Sequence, residues 1–183
     1  MLFIDHKNLT DQDFNIIFPW ISRSDKKLYK KYQTLHTGVD ISGKKAYAYS
    51  QGVVLMIGIQ GDKYSVTVQF DAENIFRYCD LTSVDPAVGD IVQAGDRIGT
   101  AKRHVHFEWA TTAEKSDFAV HLGDVTYYKQ NPERLFSGEV VLKANDWSTV
   151  TENEYGYDDG YDLTPAMQDE FEVDNRDYEN GGV

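Results

Sequence analysis

Residues 64–70 alternate with period two: Tyr64, Val66, Val68 and Phe70 on one side, Ser65, Thr67 and Gln69 on the other. A helix would scatter those apolar groups around its circumference, whereas a strand puts successive side chains on opposite faces and sorts them at once. An apolar, partly β-branched run at residues 53–57 precedes the alternation, and Gln60-Gly61-Asp62 between the two is a turn signal. Residues 53–70 therefore read as a β-hairpin whose second strand is half buried. Residues 75–81 offer a third strand. Pro86, Gly89-Asp90, Gly95-Asp96 and Gly99 then punctuate the chain, leaving room for short strands at residues 91–92 and 97–98, with a further strand at residues 104–110. The one helical candidate is a turn or two at residues 131–136, where Pro132 suits the first turn. The fold expected is a mainly β, antiparallel-sheet domain.

The length of 183 residues suits one domain with an appendage, and 41% hydrophobic content is enough for a real core. Cys79 is the single cysteine, so an internal disulfide is excluded. The start of the chain lacks a basic segment followed by a long apolar run, so no signal peptide is expected. No stretch is long and apolar enough to predict a membrane span. Residues 152–183 hold eleven acids and one base (Arg176), ten of the twelve net negative charges of the chain. The body is thus nearly neutral, and without a basic stripe it has no electrostatic footprint for nucleic acid. The division expected is a segment at residues 1–17, a domain at 18–137 and an extension at 138–183. The extension is acidic and tyrosine-rich, and its composition predicts disorder or folding along a partner. The basic patch at residues 26–31 is expected to be a solvated loop.

Chemistry concentrates in two strings, His36-Thr37-Gly38-Val39-Asp40 and His104-Val105-His106-Phe107-Glu108. Together they offer three residues able to hold a divalent metal and one spare imidazole, the outline of a catalytic zinc site with an open position. Taken singly, His36 and Asp40 read equally well as a loop histidine and a turn aspartate, and His104 and His106 as the solvent side of a strand. Residues two apart on a strand share a face, so His104 and His106 are expected to project into one cleft. Gly38 permits a tight backbone approach. Glu108 is expected to point away from the metal. Cys79 is expected to face away from its neighbour Asp80 as a buried structural thiol. Trp109, Tyr47 and Tyr49 suit either a substrate groove or core packing, and His6 and His121 are expected at the surface.

These strings resemble those of the lysostaphin-type (LytM-like, M23) zinc metallopeptidases, which cut peptide bonds in bacterial peptidoglycan. The resemblance runs from about Phe18 to Phe136. It rests on the H-x-G-x-D string at His36, Gly38 and Asp40 and on the H-x-H string followed by Phe107 and Glu108. It is supported by Gly52-Val53-Val54 and by the glycine-aspartate rhythm between Val84 and Gly99. The resemblance implies an M23 domain with a duplicated, barrel-sandwich-like sheet, Zn2+ held by His36, Asp40 and His106, and a catalytic role for His104. It also exposes a departure. The family's further active-site histidine, in a Tyr-x-His-Leu string, is replaced here by Asp80 in Tyr78-Cys79-Asp80-Leu81. Asp80 is thus the second catalytic candidate, as a base, although an ionised carboxylate cannot donate to an oxyanion.

Lacking a signal peptide, an enzyme of this kind is expected to be synthesised in a host cytoplasm and carried outside on a phage tail tip or baseplate. The acidic extension would then dock on another tail protein. The alternative is a catalytically impaired structural plug or adaptor of such a tail. A lipoyl- or phosphotransfer-type carrier domain shares the glycine rhythm, but the chain lacks a convincing hairpin lysine, and phosphocarriers lack the His-x-His-Phe-Glu string.

Overall fold

The computed structural model describes residues 5–20 and 35–142. The basic patch at residues 26–31 and the acidic extension lie outside the described residues. A 3-10 turn at His6–Asn8 leads to β1 (Ile16–Phe18). β2 (Val39–Ser42), β3 (Lys45–Tyr47), β4 (Gly52–Gln60), β5 (Lys63–Gln69) and β6 (Asn74–Val84) follow. After β7 (Ile91–Val92) come β8 (Arg97–Thr111), β9 (Ala119–Leu122), β10 (Val125–Gln130) and a single helical turn, α1 (Glu133–Phe136). The strands join in one sheet through antiparallel ladders, ordered β1-β2-β8-β6-β5-β4-β7. The fold is mainly antiparallel β, as the alternation at residues 64–70 requires.

β8 is the spine. One of its edges pairs with β6 over most of its length, while β3, β2 and β10 take successive stretches of the other. The two short strands expected at residues 97–98 and 104–110 are one continuous strand of 15 residues. Gly99 reads as a break but marks a close approach: a Cβ there would lie 2.1 Å from the Ser83 carbonyl oxygen of β6. The hairpin of β4 and β5 turns at Gly61-Asp62, as expected. At the C-terminal end Pro132 precedes the helical turn as its N-cap, one position earlier than expected.

The sheet buries both faces. Val66, Val68, Phe70, Phe76, Tyr78, Val105, Phe107 and Trp109 occupy one face and, with Val39 and Ile41 of β2, form the main core. Phe107 lies between the stacked rings of Phe76 and Phe136. Leu9, Phe14 and Leu135 close this layer. The second strand of the hairpin is more than half buried, since Ser65, Thr67 and Gln69 on its polar side are buried too. The β9–β10 hairpin covers part of that second face, where Val120 and Tyr127 pack on Ile75 and Ala110. Trp109 and Tyr49 belong to the core rather than to a groove, and Trp109 Nε1 donates to Asn74 Oδ1 at 2.9 Å. His121 is exposed, whereas His6 stacks on Phe136 and meets Phe14 edge-on.

Candidate metal centre

The register of β2 on β8 sets the site. Asp40 pairs with His106 and Ser42 with His104, and paired residues in an antiparallel ladder share a face. With Val39 and Phe107 committed to the core, Asp40 and His106 must point to the second face. His36, just before β2, folds its ring over the pair. His36 Nε2 lies 3.1 Å from Asp40 Oδ1 and 3.0 Å from His106 Nδ1, and His106 Nδ1 lies 2.8 Å from Asp40 Oδ1. All three residues are buried. Tetrahedral zinc with bonds near 2.0 Å would set its ligand atoms about 3.3 Å apart, so this donor set fits a zinc ion after an expansion of a few tenths of an ångström. The expectation that His36, Asp40 and His106 converge holds.

The ring orientations are fixed from behind. His36 Nδ1 donates to the Pro19 carbonyl at 2.9 Å, which turns the Nε2 lone pair to the centre. Phe18 meets the same ring edge-on. Gly38 leaves room for the His106 ring: a Cβ there would sit 2.6 Å from His106 Nε2 and 2.7 Å from the Phe107 carbonyl oxygen. The glycine of the first string is therefore a packing requirement of the second. Burial works to raise the Asp40 pKa, but the adjacent His106 and His36 imidazoles outweigh it and hold the carboxyl well below the usual range. Burial disfavours a charged His106, yet its contacts with Asp40 and Glu108 prevail and raise its pKa well above the ordinary histidine value.

His104 stands at the rim, partly exposed, with Nε2 3.2 Å from Asp80 Oδ2 and 3.7 Å from Asp40 Oδ2. Asp80 has φ 61, the one positive value among the described non-glycine residues, and it sits where the β6–β8 register shifts between Cys79 and Leu81. That bulge changes the expected facing. Regular alternation would send Asp80 to the core beside Tyr78 and Cys79 to the opposite side. Cys79 does pair with His106 on the face away from the core, but the twist swings Asp80 to that face as well. Cys79 is a buried thiol, as expected, and burial pushes its pKa up to about 11. Burial also works to raise Asp80, but the His104 hydrogen bond, the His106 charge and Lys63 lower it to about 2. Lys63 Nζ approaches Asp80 Oδ1 at 3.0 Å.

Glu108 does not point away. Two residues beyond His106 on one strand, it shares the metal face, and Oε1 accepts from His106 Nε2 at 3.2 Å. It is 1% exposed and held by Lys129 Nζ at 2.8 Å and by Arg77 Nη1. Burial acts against its charge, but Arg77, Lys129 and His106 hold its pKa well below the usual carboxylate range. Thr37 Oγ1 completes the cluster, donating to Glu108 Oε1 at 3.4 Å and accepting from Lys129 Nζ at 2.9 Å. The period-two rule contained the Glu108 contact. Nothing local in the sequence marks Lys63, Arg77 or Lys129, which arrive from three other strands.

Residues 34–118 match the model of Peptidase family M23, a span that holds His36, Asp40, Asp80, His104, His106 and Glu108 but not Lys129. No curated protein matches the chain. Among solved structures the fold is similar to that of lysostaphin in solution, with a TM-score of 0.51 and 21% identity over 76% of this chain and 57% of that one. It is also similar to a chain in the crystal structure of the SpoIIIAH–SpoIIQ complex, with a TM-score of 0.53 and 19% identity over 69% of this chain and 95% of that one. The match thus spans little more than half the length of the lysostaphin chain. Among the described residues no helix is long and apolar enough to cross a membrane.

Proposed function

We propose that the chain is a zinc-dependent endopeptidase that cuts peptide cross-links of bacterial peptidoglycan. The observation that carries this reading is the convergence of His36 Nε2, Asp40 Oδ1 and His106 Nδ1 within 2.8–3.1 Å, inside the segment that matches Peptidase family M23. Zinc held by two neutral imidazoles and one carboxylate would keep a net positive charge and an exchangeable position, supplying Lewis acidity toward water and a peptide carbonyl.

The protein's own groups supply the remainder. Pro19 O and Glu108 aim the two imidazoles. His104 stands at the accessible rim, close enough to exchange a proton with an attacking water or to donate to a developing oxyanion. Asp80, ionised at neutral pH, acts by accepting a hydrogen bond from His104 Nε2 and so orienting that ring. Lys63 offsets the Asp80 charge, which limits the repulsion an isolated carboxylate would exert on negative charge forming in the substrate.

The second reading, a catalytically impaired structural module, is favoured by one observation: a carboxylate at Asp80 offers no proton to an oxyanion. Full-length protein reconstituted with zinc and incubated with purified peptidoglycan separates the two. The enzyme reading expects new peptide amino termini, abolished in His104→Ala while zinc remains bound. Zinc-loaded protein that releases none from the walls of any host tested would leave the structural module. For delivery, the acidic and tyrosine-bearing composition of residues 152–183 supports an arm that docks on another protein of a phage tail tip or baseplate. Removing the chain after Val150 is then expected to abolish incorporation into particles, and normal incorporation would sink the docking role.

A further inference from the structure

The charged cluster behind His106 is costly to build. Glu108 is 1% exposed and Arg77 and Lys129 are buried with it, so three formal charges leave water at one place. Core packing does not require them, because a methionine or leucine trio would fill the same space without desolvating charge. The geometry gives the cluster a target. Glu108 is anchored through Oε2 by Arg77 and through Oε1 by Lys129 and Thr37, and Oε1 also lies 3.2 Å from His106 Nε2. The opposite nitrogen of that ring, Nδ1, is the one that meets Asp40 and His36. A glutamate clamped by two cations can accept from Nε2 but cannot donate to it.

We infer that Glu108, held by Arg77 and Lys129, is the positioning residue that keeps the proton of His106 on Nε2 and presents Nδ1 to the metal. This rests on the metal-centre reading given above and adds to it a nitrogen assignment and a device that enforces it. It also accounts for the placement of the cations. Arg77 lies on β6 opposite Glu108, and Lys129 reaches in from β10 across the same face, so the carboxylate cannot turn away from the ring. His36 meets the same requirement with one backbone carbonyl, from Pro19, and needs no charge. His106 is in mid-strand, where its neighbours' carbonyls are engaged in the ladders with β2 and β6, so a side chain must serve.

The test uses the full chain with Zn2+ as the probe. Long-range proton–nitrogen correlation spectra of the zinc-loaded wild type should show His106 protonated at Nε2 and coordinated through Nδ1. Coordination through Nε2 would overturn the assignment. Competition against a chromophoric chelator should show zinc binding by Glu108→Gln weakened by about 10–100-fold. The amide can face Arg77 with its oxygen only by turning its NH2 toward His106 and Lys129. A merely structural Glu108 would lower the melting temperature of the zinc-free variant and leave the zinc affinity of the folded protein unchanged, which would equally overturn the inference. If Glu108→Gln does not fold, the wild-type spectrum decides alone. A folded wild type that takes no zinc would remove the metal centre itself, an outcome distinct from an unchanged affinity in the variant.

Discussion

Gly38→Ala isolates the coupling between the two histidine strings. The added Cβ would lie 2.6 Å from His106 Nε2, 2.8 Å from His106 Cε1 and 2.7 Å from the Phe107 carbonyl oxygen, where ordinary contact begins at 3.4 Å. Two of these atoms belong to the imidazole ring, which can retreat only by moving off Glu108 and Asp40. The third is backbone in the middle of β8, locked by the ladders with β2 and β6. Relief therefore requires displacements of about 0.8 Å from the ring and about 0.7 Å from the backbone oxygen, and overpacking of this kind costs about 1–3 kcal/mol. For a chain of this size that is a fall of roughly 2–12 °C in melting temperature. Zinc affinity should fall further, because the same displacement moves Nδ1 relative to Asp40 Oδ1. Thermal unfolding with and without zinc, paired with chelator competition, reads both effects. A Gly38→Ala protein with wild-type melting temperature and wild-type zinc affinity would refute the argument.

In zinc-free protein, acid should destabilise the fold between about pH 4 and pH 2. Asp80 is lowered from 3.8 to about 2, so its contribution, at most about 2 kcal/mol, is present above its unfolded pKa and lost as pH falls through the folded one. Raised in the folded state, His106 contributes in the opposite sense, fully below about pH 6.5 and progressively less as pH rises through its folded value. Denaturant titrations across pH 2–10 without zinc should show both flanks, and a flat profile between pH 4 and pH 2 would contradict the Asp80 contacts. Cys79, buried and with its thiol raised to about 11, should resist iodoacetamide at pH 8 until the chain is unfolded. Rapid labelling of native protein would show that the β6–β8 bulge opens. Finally, His104→Ala should keep zinc within a fewfold of wild-type affinity while His36→Ala loses it, and equal losses in the two would remove the distinction between rim and ligand.

The sequence carried the parts of this fold that depend on strand periodicity. The alternation at residues 64–70 located the main core face, and the two histidine strings located the three residues that converge, because the register of β2 on β8 brings Asp40 opposite His106 with His36 three residues before that strand. Two departures share one cause. Gly99 reads as punctuation but marks a close approach of β6, and alternation puts Cys79 and Asp80 on opposite faces whereas a bulge at φ 61 leaves both on one. Both features are set by the partner strand and not by the local string. The facing of Glu108, contrary to the expectation that it points away, is legible in the sequence, since residues 106 and 108 of a strand share a face. Lys63, Arg77 and Lys129 were not legible, because their importance comes from convergence on carboxylates far away in sequence.

The zinc content of the full-length protein, measured by elemental analysis against a His106→Ala control, bears most directly on the account. The convergence of His36, Asp40 and His106 predicts one zinc per chain in the wild type and a loss of it in the variant. A folded wild type that holds no zinc after reconstitution, or a His106→Ala variant that retains it, would contradict the assignment.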